Sequence, residues 1–277
     1  MEKSLKVQVL VAAMHQKDYT LTDKMNLETD AIIANQCEKC SNDSYKKNDH
    51  KILFLNRPDR GVGLNRNEAL LHATGDILTL ADDDMIFYKG YEGIIKKAFY
   101  EIPDADAIIF NIETIGQDMG RRDNSKVKRV RFYNALNYGA ARLSMKKNSV
   151  KRENILFHTC FGGGTKFSAG EDTLFIADML KHGLKVYAYP ETIASVDQTS
   201  STWFAGYNHK YYYDKGVFFR ALSKKFAYVL CIQDLIRHKD YKKNQMKFSE
   251  ALNEMKKGIC AFENLKAYEE GFTDYGN

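Results

Sequence analysis

Residues 75–87 read GDILTLADDDMIF: an apolar run leads into three consecutive aspartates, Asp82, Asp83 and Asp84, and the chain then turns apolar again. A short run of this kind behind Gly75 reads as a strand buried on both faces, the habit of parallel sheets covered by helices. Three adjacent carboxylates at the end of a buried strand repel one another and are costly unless solvated or neutralised. A divalent cation is an economical neutraliser. The carboxyl ends of strands are also where an open α/β sheet binds its ligands.

Working outward, KVQVLVAA (6–13), DAIIANQ (30–36), HKILFLN (50–56) and DADAIIFNI (104–112) repeat the same pattern between helical stretches, predicting an α/β sandwich around a largely parallel sheet. Asn65, Arg66, Asn67 and Glu68 are expected to open a helix, with Ala69, Leu70, Leu71 and Ala73 as its apolar face and Gly75 as its end. A second helix is expected near Gly170. Glu171 and Asp172 lie in its first turn, where they read either as N-terminal caps or as a general base, and KVYAYP (185–190) follows as a strand. Residues 116–154 are strongly basic. They read either as a solvated excursion or as a surface for an anionic acceptor or membrane.

The 277 residues, 44% hydrophobic and 28% charged, suit one large domain with an appendage. A net charge of +5 over this length is too small to indicate a nucleic-acid binder. Five cysteines and no secretory signal point to a reducing cytosol, with Cys37 and Cys40 as free thiols rather than half a zinc site. No stretch approaches the ~20 apolar residues of a membrane span.

The segments NRPDRGVGLNRNEALLHATGDILTLADDDMIFYKGY (56–91) and AGEDTLFIADMLKHGLKVYAYPE (169–191) together resemble family 2 inverting glycosyltransferases of the GT-A fold, the likeness covering roughly residues 6 to 195. The resemblance implies a Rossmann-like, mixed but mostly parallel sheet flanked by helices over residues 1–215, with a C-terminal helical extension over 216–277. It also implies a nucleotide-sugar donor, UDP- or dTDP-linked, whose diphosphate is bridged by Mn2+ or Mg2+. Asp84 and Asp82 would hold the metal, with Asp82 and Asp83 also at the donor. Asp172 would be the catalytic base with Glu171 beside it. Arg66, Met14 and His15 would lie near the nucleotide. Asn35 and Gln36 stand where the family has an acidic pair for the pyrimidine; an amide can both accept from a ring N–H and donate to a ring carbonyl.

Gly163 and Gly164 would let the backbone approach the donor sugar, or form a plain loop. Trp203, in an aromatic-rich stretch, would stack on an acceptor sugar or simply pack. Over 217–238, Phe218, Leu222, Phe226, Val229, Ile232 and Ile236 fall on one helical stripe, which would pack on the catalytic domain, join a homodimer or lie on anionic membrane. By family analogy the acceptor is a saccharide or lipid-linked saccharide in bacterial surface polysaccharide synthesis, at the inner face of the cell membrane. Two other readings stand beside this one. A sugar-nucleotide nucleotidyltransferase would want a Gly-rich phosphate loop after the first strand, where AAMHQKDYT (12–20) has none. A non-catalytic carbohydrate-binding scaffold would not need Asp82, Asp84 and Asp172 together.

Overall fold

The computed structural model describes residues 5–116, 123–197 and 206–273, with side chains to residue 264. Four strands are mutually parallel: β1 (Val7–Met14), β2 (Asp30–Gln36), β4 (His50–Arg57) and β5 (Ile77–Asp82), with β3 (Ser41–Lys47) antiparallel on β4 at the edge. Val11 lies opposite Ile33 on one side and Ala81 on the other, so the carboxyl ends of the strands finish nearly level, and Asp82 sits beside Ala12. Beyond β5 come β6 (Met85–Phe87), β7 (Ala107–Ile115), β8 (Lys128–Arg129), β9 (Leu143–Lys146) and β10 (Val186–Asp197), and the sheet order is β3-β4-β2-β1-β5-β9-β7-β10-β6, with β8 on β10.

Alternation along β1 sends side chains to two cores. Val9 and Val11 join Ile33, Phe54 and Phe110 on one face, while Leu10 joins Ile32, Leu55 and Leu80 on the other. The helices α1 (Leu21–Lys24), α2 (Val62–His72), α3 (Tyr91–Glu101), α4 (Lys147–Arg152) and α5 (Glu171–Lys181) connect these strands. Tyr91, Ile95 and Phe99 of α3 cover the first face, and Ala69 of α2 with Phe175, Ile176 and Met179 of α5 the second.

The structure corrects the sequence reading in three places. Part of the basic 116–154 region is neither excursion nor surface: β9 is inserted between β5 and β7, antiparallel to both, with Leu143, Ser144 and Met145 buried and Ser144 hydrogen-bonded to Thr79. Helix α2 starts at Val62, before Asn65, and ends at His72; Leu71 is 71% exposed, while Asn65, Arg66 and Asn67 are buried. The stripe expected across 217–238 breaks between α6 (His209–Leu222) and α7 (Ala227–His238).

The chain divides into two compact units, residues Met1–Thr165 with Glu171–Ser201, and residues Lys166–Gly170 with Thr202–Asn277. The second holds α6, α7 and α8 (Phe248–Thr273), and α6 runs through residue 215, where the sequence suggested a boundary. Helices α6 and α8 pack backbone to backbone at two glycines: a Cβ on Gly216 would strike the Met255 carbonyl and one on Gly258 that of Tyr213. Among the described residues no helix is long and apolar enough to cross a membrane.

Candidate active site

The three aspartates fan apart as β5 gives way to the turn that leads to β6. Asp82 Oδ1 accepts from Arg66 Nη2 at 2.8 Å. Asp83 points the other way, its Oδ2 accepting from the Met14 amide at 3.1 Å and Gln16 Nε2 at 3.0 Å. Burial pushes the Asp83 carboxyl up despite these two donors. Asp84 is exposed at the tip.

Helix α2 brings Arg66 to the acids through a polar buried face. Asn65 Nδ2 donates to the Ala13 carbonyl at 3.1 Å, and the Asn67 side chain donates to the Phe157 carbonyl at 2.9 Å and accepts from its amide at 2.8 Å. Buried amides are tolerated here because each is satisfied by backbone. The guanidinium between them lies 5.2 Å from the centre of the Phe157 ring.

Arg66 Nη1 bonds Asp172 Oδ1 and lies 3.6 Å from Glu171 Oε1, so one buried cation joins the end of β5 to the start of α5. Burial alone would lower the guanidinium, but Asp172, Asp82 and Glu171 outweigh it and hold its pKa well above the ordinary value. The Asp172 carboxylate is fixed at its second oxygen as well, where Oδ2 accepts from the Ala140 amide at 2.8 Å. Glu171 is the more enclosed of the pair, with its side chain 14% exposed against 27% for Asp172. Burial first, and the Asp172 charge second, push Glu171 up to about 7. Gly162, at φ +97°, makes room for it: a Cβ there would lie 2.6 Å from Glu171 Cδ and 2.5 Å from Val62 Cγ1.

The remaining expected residues divide. Met14 is exposed at the end of β1, and His15 beside it takes a left-handed φ of +56° with its amide on the Gln36 carbonyl at 2.9 Å. Asn35 is buried and turned inward: Oδ1 accepts from the Gln16 amide at 3.0 Å, and Nδ2 donates to the Gln16 carbonyl at 3.0 Å and to Asn56 Oδ1 at 2.8 Å. Gln36 Oε1 accepts from the Gly61 amide at 2.9 Å, tying β2 to the start of α2. Both amides therefore brace loops at the carboxyl edge. Gly163 has open space where a Cβ would be, and its carbonyl accepts from the Val62 amide; Gly164 takes φ +77° against Gly61. Trp203 lies outside the described residues.

Sequence reasoning missed Gln16, Ala140 and Phe157, which hold Asp83, Asp172 and Arg66. A backbone amide such as that of Ala140 leaves no signal in residue type.

No group of three or more His, Cys, Asp or Glu converges on a metal position among the described residues. Magnesium or manganese in a diphosphate site needs only one or two carboxylates beside the phosphate oxygens. Asp82 and the exposed Asp84, two residues apart across a turn, supply hard oxygen donors in that number and fit such an ion.

The family described as Glycosyl transferase family 2 matches residues 33–173. No curated protein matches the chain. Among solved structures, S. aureus TarS 1-349 in complex with UDP-GlcNAc superposes with a TM-score of 0.64 at 14% identity, covering 92% of this chain and 82% of that one. The same protein in complex with UDP gives 0.61 at 14% identity over 92% and 81%. A longer TarS chain gives 0.62 at 14% identity, with 92% of this chain and 49% of that chain covered. At this identity the likeness establishes the GT-A fold.

Proposed function

The chain belongs to glycosyl transferase family 2, and from that premise we propose that it moves a sugar from a UDP-sugar, with inversion at the anomeric carbon, to a hydroxyl of a saccharide or lipid-linked saccharide acceptor in surface polysaccharide synthesis. The observation that carries the reading is Arg66, which ties Asp82 at the end of β5 to Asp172 at the start of α5. The TarS complexes with UDP-GlcNAc and UDP support uridine as the nucleoside.

In this reading Asp172 is the general base. It removes the acceptor hydroxyl proton as that oxygen attacks the anomeric carbon. The bond from that carbon to the diphosphate breaks on the opposite face, and UDP leaves with the electron pair. Hydrogen bonds from Arg66 and the Ala140 amide fix the orientation of the carboxylate, which is what proton transfer in the transition state demands. Asp84 and Asp82 would hold Mn2+ or Mg2+, which supplies positive charge for the departing diphosphate. No covalent enzyme intermediate is needed.

Glu171 is a second candidate base, favoured by its pKa of about 7, close to the optimum for a general base near neutrality. Its greater enclosure behind Gly162 makes Asp172 the first choice.

A thermal-shift panel of UDP, dTDP, GDP and CMP, each with and without Mn2+, tests the donor reading. Stabilisation by UDP that depends on metal is expected. No response to any nucleotide would overturn it. UDP release from UDP-sugars, compared between wild type and Asp172→Asn, then tests the chemistry.

A further inference from the structure

Helix α7 buries one strip of its surface and leaves the adjoining strip uncovered. Ala227, Cys231 and Leu235, spaced by four, are buried within the C-terminal unit. Turning ~100° per residue, Tyr228, Ile232 and Ile236 form the neighbouring row, with Val229 beside it. These are exposed by 47%, 42%, 57% and 61%, and Phe226 at the helix start by 52%. A side chain of this type is normally spared water, and one isolated exposure would need no explanation; a contiguous row on one helix does.

Basic residues predominate around the row, and Glu263 of α8, near Tyr228, is paired with Arg220 at 2.8 Å. Residues 224–243 carry Lys224, Lys225, Arg237, Lys239, Lys242 and Lys243 against only two acids, Asp234 and Asp240. Asp234 is taken up by Lys215 at 2.6 Å and Asp240 by Lys243 at 2.8 Å. Lys224 and Lys225 flank the apolar row at one end, Arg237 and Lys239 at the other, all exposed. Along the row itself, between Phe226 and Gln233, there is no charged residue.

We infer that this face of α7, bounded by Lys224, Lys225, Arg237 and Lys239, docks the protein on an anionic lipid bilayer, lying in the interface with Phe226, Val229, Ile232 and Ile236 turned toward the acyl chains. Apolar area and attraction of basic residues to anionic headgroups are the two contributions that hold an amphipathic helix there. Aromatic residues at one end suit the headgroup level. Lysines can extend past an apolar row to reach phosphate while their stems stay in contact with it. The inference stands independently of the transferase reading.

The experiment is co-sedimentation of the full chain with vesicles of phosphatidylcholine alone and of phosphatidylcholine with phosphatidylglycerol in a ratio of about three to one, at low and high salt. Binding to the anionic vesicles, weakened by salt, is expected. Val229→Ser/Ile232→Ser/Ile236→Ser should weaken the partition coefficient by roughly 100-fold, since each change removes exposed apolar area available for burial. Lys224→Gln/Lys225→Gln should weaken it by about tenfold, and only at low salt. The substituted side chains are exposed, and far-UV circular dichroism checks that both variants keep the fold.

Equal binding to neutral and anionic vesicles, or no difference between wild type and the triple variant, overturns the inference. So does a wild-type dimer in light scattering that the triple variant converts to monomer while neither binds vesicles; the occupant of the row would then be a second copy of the chain.

Discussion

Two acidic stretches meet the same buried arginine from different elements, Asp82–Asp83–Asp84 closing a strand and Glu171–Asp172 opening a helix. They handle their repulsion differently. At the strand end, the pleat and the turn send each carboxylate to its own surroundings: Asp82 to Arg66, Asp83 back to the Met14 amide and Gln16, Asp84 outward. At the helix start the two side chains stay together, and the repulsion is relieved by pairing Asp172 with Arg66 and pushing Glu171 toward its neutral form. A strand end can distribute charge, whereas a helix start concentrates it. A cation site suits the first arrangement and proton transfer the second.

The sharpest way to separate them is Asp172→Asn. The substitution removes the base while keeping an oxygen for the Ala140 amide, so transfer should fall about 10^3-fold or more with UDP binding nearly unchanged. Calorimetric UDP titration beside an activity assay checks the split. A parallel loss of nucleotide affinity would place Asp172 at the donor instead.

Next in size is Arg66→Met, which tests whether the two stretches depend on one cation. It leaves Asp82, Asp172 and Glu171 without their shared partner, and breaking a buried pair in this way costs about 3–5 kcal/mol. Urea denaturation should register that loss near neutral pH.

Glu171→Gln tests the concentrated charge itself. Because the folded-state pKa is raised from 4.5 to about 7, the Glu171 contribution to stability is fully present below 4.5 and is lost as pH rises through about 7. The glutamine variant carries no such dependence. Wild type should therefore lose up to about 3 kcal/mol relative to it across that window, read from denaturation midpoints against pH. With Asp172 as base, the variant also keeps much of its activity; if it instead loses activity as completely as Asp172→Asn, Glu171 is the base.

These contrasts explain what the sequence could and could not reveal. Strands β1, β2, β4, β5 and β7 were legible because each is a compact apolar run, and the aspartates announced the carboxyl edge. Strand β9 was not: four residues inside a basic stretch carry too little pattern, and only neighbours on both sides make LSMK a central strand. Asn65, Arg66 and Asn67 read as the opening of α2, with Ala69, Leu70, Leu71 and Ala73 as its apolar face, because buried polar residues look the same in sequence as exposed ones; their partners are Ala13, Phe157 and the acids, from 16 to 106 residues away. The stripe of α7 was visible as apolar, but the direction it faces depended on which strip α6 and α8 cover. The pairing of Asp82 with Asp172 through Arg66 is likewise a product of the fold, since the family resemblance assigns roles without supplying that contact.

The strand-end triplet holds the two smallest expected effects, and they oppose each other. Asp84→Asn should weaken metal-dependent UDP binding by about tenfold, because it removes one of the two carboxylates that would hold the cation. Asp83→Asn should act on stability instead. Its oxygen still accepts from the Met14 amide and Gln16, so the hydrogen bonds survive while the buried charge is removed. Because burial raises the Asp83 carboxyl, the ionised wild type is the less stable form, and the variant should be slightly the more stable at neutral pH, by about 1 kcal/mol or less, with the difference gone in acid below the ordinary carboxylate range. A pair of variants one residue apart, one read in metal-dependent binding and the other in denaturation, is what a strand end that distributes its charge must give. If both move together, the three aspartates act as one cluster, and the contrast with the helix start fails.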